Sequence, residues 1–150
     1  FEYRKLFPND VKAHFWVGNI HENLNDYEEA IVAFKKALEY SNGEKSDLNR
    51  HIGTCYYLLQ NFDTAYDYFE KSMNIYLNNE APEDMFQYAF SAIVVGQIEK
   101  ADHILQTIID NTPEEKQSII DSAKTLQDKI KNNEFENPNV FEWLFEITFN

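Results

Sequence analysis

Four histidines (His14, His21, His51 and His103), one cysteine (Cys55) and 26 acidic residues are the side chains from which this chain would have to build a reactive centre. Acid–base, nucleophilic or metal chemistry needs such groups gathered at set spacings. His21-Glu22 opens like a zinc-protease helix, but Asn25 stands where the second histidine would be. The histidines form no cluster with cysteine at metal-ligand spacing. His21 instead falls three residues after Gly18, where the recurrence 35 residues on has Tyr56, which points to a packing role. Cys55 lacks the basic neighbours that lower a thiol pKa and reads as a buried side chain. No glycine-rich phosphate loop or calcium loop is present. The expectation is therefore no catalytic residue, no metal and no cofactor, with the carboxylates serving as a solvating surface.

Whatever this chain does must follow from how its elements are placed, and those elements recur. Gly18, Ala30, Phe34 and Ala37 form a skeleton that returns as Gly53, Ala65, Phe69 and Ser72, 35 residues on. It returns again, altered, as Ala89, Ala101, Leu105 and Ile108, a further 36 residues on. A period of this size marks stacked supersecondary units. Within each unit the second half is helical by its spacing: Ala30, Phe34, Ala37 and Leu38 share one apolar face. Small residues let two helix backbones approach, and the aromatic fills the space beside them. Asp10 is a predicted N-cap, Asn25-x-x-Glu28 a capping-box-like start, and Gly43 and Gly96 are predicted to close helices.

These residues give the chain its resemblance to the tetratricopeptide repeat family, a helix–turn–helix unit of about 34 residues. The resemblance implies an all-α, right-handed α-solenoid of antiparallel helix pairs, with three full repeats and a capping helix. The expected division is 1–10 as the end of a preceding repeat, 11–112 as the three repeats, 113–132 as the cap, and 133–150 as a linker with an apolar C-terminal segment. The cap is expected to start at Thr112-Pro113-Glu114-Glu115 and to bury a narrow stripe of Ile119, Ala123, Leu126 and Ile130. Phe1–Phe7 reads as the tail of an earlier second helix, so the chain is expected to be part of a longer array.

In the family, the first helix of each repeat lines a concave groove that takes a partner's peptide. Carried onto this sequence, the groove residues are Phe15, Asn19 and Glu22, then Arg50, Thr54 and Tyr57, then Phe86, Phe90 and Ile93. The alternative for Phe86 and Phe90 is burial against the capping helix. One branch of the family grips an acidic tail with a carboxylate clamp. The corresponding residues here are Phe15, Asn19, His51, Glu83 and Gln87, and Glu83 would repel a carboxylate. A second branch, the three-repeat chaperones of type III secretion translocators, is similar in its extra final helix and would hold an apolar client segment at Phe86, Phe90 and Ile93. The implied function is a protein-interaction scaffold binding a protein or peptide, with the chaperone as alternative; an enzymatic reading requires a catalytic domain outside residues 1–150.

Composition sets the remaining bounds. The net charge of −13 opposes nucleic-acid and anionic-membrane partners, because phosphate contacts need clustered Lys and Arg. No run is long and apolar enough to span a membrane. A single cysteine fits a reducing, cytoplasmic setting. Val140–Phe149 alternates Phe141, Trp143, Phe145, Ile147 and Phe149 as a strand would, while Glu142 and Glu146 keep helical spacing. Such a run is expected to be covered by its own array or by a neighbouring copy, giving self-association, unless it begins another repeat.

Overall fold

The computed structural model describes residues 10–41, 46–76 and 81–134. The expectations for Phe1–Phe7, Gly43 and Val140–Phe149 lie outside these residues. The described residues form seven α-helices: α1 (Val11–Asn23), α2 (Tyr27–Tyr40), α3 (Ser46–Leu58), α4 (Phe62–Tyr76), α5 (Pro82–Val94), α6 (Ile98–Asn111) and α7 (Gln117–Lys131). They are arranged as three sequential antiparallel pairs and a final helix. The chain divides into two compact units, Phe1–Ile75 with α1 to α4 and Tyr76–Asn150 with α5 to α7.

In the first unit, Asp10 caps α1 as expected: its Oδ1 accepts from the backbone N–H of Lys12 at 2.8 Å and of Ala13 at 3.3 Å. The buried skeleton is the one that recurs in the sequence. Ala30, Phe34 and Ala37 are wholly buried on α2, and Ala65, Phe69 and Ser72 on α4. The glycines explain why these faces fit. A Cβ built on Gly18 would lie 2.5 Å from the Phe34 ring, closer than side chains can approach. A Cβ on Gly53 would meet the Ala65 carbonyl oxygen and the Phe69 ring at 3.2 Å, which is tight. The pairs are joined through α2 and α3, where Ala30, Ile31, Phe34 and Ala37 form one core with Leu48, Ile52 and Cys55.

The second unit repeats the plan with different side chains. Ala89, Ala101, Leu105 and Ile108 are the buried counterparts on α5 and α6. Pro82 opens α5, with Glu83 and Asp84 in its first turn, where carboxylates favour the helix N-terminus. The final helix covers α6. Gln127 donates from Nε2 to Gln106 Oε1 at 2.9 Å, and Lys116 pairs with Glu83 on α5 at 2.7 Å.

All three turns within pairs are closed by the same backbone device. Asn25, Gln60 and Gly96 adopt left-handed conformations, with φ of 62°, 64° and 84°. The next residue then donates back across the turn: Asp26 to His21, Asn61 to Tyr56, and Gln97 to Ala92, at 2.8–2.9 Å. This is the Schellman closure. It supplies the turn at Gly96 as expected, and it corrects the expected capping box. Asn25 is spent on the left-handed turn position, so Asp26 becomes the residue before α2, with no side-chain cap bond.

The start of the last helix is also corrected. Thr112 donates its N–H to Ile108 and so closes α6 rather than capping the next helix. A 3-10 turn at Glu114–Lys116 intervenes, and α7 begins at Gln117. Its buried stripe is broader than expected. Ala123 and Leu126 are wholly buried, Ile120 and Gln127 join them, and Ile119 and Ile130 stay half-buried at the margins.

Two glycine substitutions separate the two reasons for glycine. Gly18→Ala gains about 1 kcal/mol of helix propensity but drives a methyl into the Phe34 ring; overpacking of about 1–3 kcal/mol or more makes the net effect destabilising. Gly96→Ala meets no atom within 4 Å, so its loss of about 1 kcal/mol is purely conformational. Urea unfolding of both variants measures the difference. Shrinking the ring with Phe34→Leu should reduce the Gly18→Ala penalty and leave the Gly96→Ala penalty unchanged.

Candidate partner-binding site

The sequence places nine candidate residues on the first helices of the three pairs. In the first unit, α1 carries Phe15, Asn19 and Glu22, all half-buried. On α3, Arg50 is buried, and Thr54 is wholly buried with its hydroxyl donating to the Arg50 carbonyl at 2.9 Å. Tyr57 is half-buried and meets Phe62 edge-on, with ring centroids 5.0 Å apart. Burial, with the nearby Tyr66, pushes its hydroxyl pKa up to about 12. In the second unit, Phe86, Phe90 and Ile93 are all buried on α5, Phe90 completely.

The chemistry in the first unit centres on His51, which bridges both helix pairs. Its ring stacks on Phe34 of α2 at 5.0 Å and meets Phe15 of α1 edge-on at 5.6 Å. Its Nδ1 lies 3.2 Å from Glu22 Oε2 and 3.3 Å from Oε1. The Cys55 thiol donates to the same Glu22 Oε2 at 3.4 Å. Thus α1 and α3, the first helices of consecutive pairs, are tied together by one carboxylate that takes two donors. Desolvation, reinforced by the Glu22 charge, raises the Cys55 thiol pKa far above its ordinary value, so the sulfur remains an S–H donor.

Glu22 is therefore a strut between helices as well as a groove candidate, a role that spacing along α1 alone does not disclose. His51 and Cys55 were not among the predicted site residues. They are found only when the 35-residue repeat is folded so that α3 lies beside α1. The other histidines with ring or charge contacts have structural neighbours: His14 stacks on Tyr40 at 5.4 Å, and His21 lies 3.7 Å from Asp26. Among the described residues, no group of three or more His, Cys, Asp and Glu is placed to hold a metal ion. No described helix is long and apolar enough to cross a membrane. Phe86, Phe90 and Ile93, where an apolar client segment was expected to lie, are buried side chains.

The buried network makes two measurable demands. Glu22→Ala strands the His51 and Cys55 donors and should cost about 1–3 kcal/mol in urea unfolding. Native Cys55 should resist iodoacetamide under mildly alkaline conditions and react promptly once the chain is unfolded. Prompt reaction in the native state would contradict the burial and raised pKa of the thiol.

The family model described as tetratricopeptide repeat matches residues 11–43, which span α1 and α2. No curated protein matches the sequence. Among solved structures, MamA is similar at a TM-score of 0.54 and 16% identity, over 90% of this chain and 84% of that one. The N-terminal domain of stress-induced protein-1 (STI-1) from C. elegans is similar at a TM-score of 0.50 and 16% identity, over 78% of this chain and 94% of that one. At this identity the likeness is one of fold: helix pairs of the tetratricopeptide type.

Proposed function

We infer that this chain is a protein-interaction module and that its partner, a peptide or a helix of another protein, lies across the first helices of the first unit. The observation that carries this reading is the bridging of α1 and α3 by Glu22, His51 and Cys55. It links the two helices into one face on which Phe15, Asn19 and Tyr57 keep part of their surface in solvent. A face already linked loses less conformational entropy when it binds, which favours recognition over folding-on-binding. Arg50, Thr54, Phe86, Phe90 and Ile93 are buried and enter the reading as packing support within their own units. The strong negative charge favours a partner segment that is apolar or basic.

Site-specific photocrosslinking tests the reading. A benzophenone side chain at Asn19 or Tyr57 should capture a partner that one at Glu70, exposed on α4, does not. The captured protein, once identified, should bind the purified chain, and Asn19→Arg with Tyr57→Ala should weaken it about tenfold or more, equivalent to about 1.4 kcal/mol. Equal capture at Glu70, or unchanged affinity in the double variant, would move the site elsewhere.

A further inference from the structure

One surface of the first unit gathers cations in a chain where 26 acidic residues outnumber 13 Lys and Arg. Tyr56 of α3 and Tyr68 of α4 stack with ring centroids 5.7 Å apart and planes 20° from parallel. Each ring also carries an ammonium. Lys35 of α2 lies 5.2 Å from the centroid of Tyr56, and Lys71 of α4 lies 4.5 Å from that of Tyr68. Lys35 Nζ further donates to the Tyr56 hydroxyl at 2.7 Å. That bond to Tyr56, with Tyr68 beside it, raises the Lys35 pKa above its ordinary value against the opposing effect of burial. Both lysines are exposed and both tyrosines half-buried. Glu39 and Asp67 stand one helical turn from Lys35 and Lys71, yet neither lysine is ion-paired with a carboxylate among the described residues. A strut between α2 and α3 needs only the bond from Lys35 to Tyr56. Lys71 adds nothing to such a strut, because it shares α4 with the ring it covers.

The arrangement selects what can approach it. The ring faces are taken by each other and by ammonium groups, so a base finds no free aromatic plane to stack on. What remains on offer is donors. Lys35 keeps N–H groups beyond the one spent on Tyr56, and Lys71 brings a full ammonium. A phenol oxygen that accepts from an ammonium also makes its own O–H a stronger donor. Paired cations with hydroxyls between them fit an anion of more than one charge and several acceptor oxygens. A carboxylate has a single charge, whereas a phosphate monoester carries about −1.5 to −2 and three acceptor oxygens. We propose that Lys35, Tyr56, Tyr68 and Lys71 form a receptor for a phosphate monoester borne by a phosphorylated side chain of a partner protein. The net charge of −13 repels an extended anionic surface such as a membrane or a nucleic-acid backbone. A single phosphorylated side chain is governed by the cations within a screening length of about 8 Å. None of the four residues belongs to the α1–α3 face proposed for the partner segment, so either reading can fail without the other.

NMR titration of the isotopically labelled full chain with N-acetyl-phosphoserine amide tests the proposal. Resonances of Lys35, Tyr56, Tyr68 and Lys71 should shift together and saturate. N-acetyl-aspartate amide should bind about threefold or more weakly, having lost one charge. Going from about pH 7 to about pH 5 should weaken the phosphoserine compound about tenfold, because its phosphate regains a proton near pH 6. Lys71→Met keeps the stem over the ring and Tyr56→Phe keeps the stack. Each should lower affinity about threefold or more with helical circular dichroism retained, and Lys71→Arg should restore it. Shifts that are absent, scattered over the chain or unchanged by Lys71→Met overturn the proposal. Equal binding of the aspartate compound overturns it too. Tighter binding of inorganic phosphate or of adenosine monophosphate would assign the array to a free ion or a nucleotide, and so overturns it equally.

Discussion

The contact on which the first unit depends is that of Gly18 with the ring of Phe34. Two helices lie close enough that a methyl group on one would overlap the ring of the other. Every further feature of the pair derives from that approach. Ala30 and Ala37 are small because they flank the ring on the same face. With Phe34 seated between α1 and α2, its other side is available to α3, and His51 stacks there. The second pair uses the same plan with more room: a Cβ on its glycine would lie 3.2 Å rather than 2.5 Å from the aromatic ring. The third replaces glycine and phenylalanine by Ala89 and Leu105 together, keeping small against large while giving up the tightest approach. A compensated exchange of this kind preserves total volume, the property that packed cores tolerate best.

That skeleton was legible in the sequence because it is periodic. A residue type that returns at 35 and 36 positions is visible without any structure, and every side chain of the skeleton proved buried. Less legible were features settled by competition between neighbouring residues. Asn25 is as good an N-cap as it is a left-handed turn residue, and only the closure of α1 decides between them. Thr112 likewise faces both ways and is claimed by the helix behind it.

The candidate site was legible in part, for a different reason. Spacing along one helix says which residues share a face, yet it does not say which neighbour covers that face. Thr54 and Phe90 share the expected register with Asn19, but they are buried where Asn19 is partly open. Glu22, a residue of the expected groove, is engaged by His51 and Cys55. Their separations from Glu22, 29 and 33 residues, carry no local signal. The reading of His14, His51 and the thiol as packing groups rests on the same placement: each sits where a repeat needs volume or a short polar link.

The three Schellman turns bear on how such a chain can change over evolutionary time. Their closure uses backbone groups at fixed offsets, with a left-handed residue between them. Side-chain identity there is loosely held, as Asn25, Gln60 and Gly96 demonstrate, but length is not. Deleting one residue from Leu24–Asp26 would turn the entry into α2 by about 100°, one residue's share of a helical turn, and would swing Phe34 off Gly18. Insertions and deletions are therefore excluded from the turns inside the pairs, while point substitutions pass. A lineage of this protein should record its length changes elsewhere, leaving the three inner turns in strict frame.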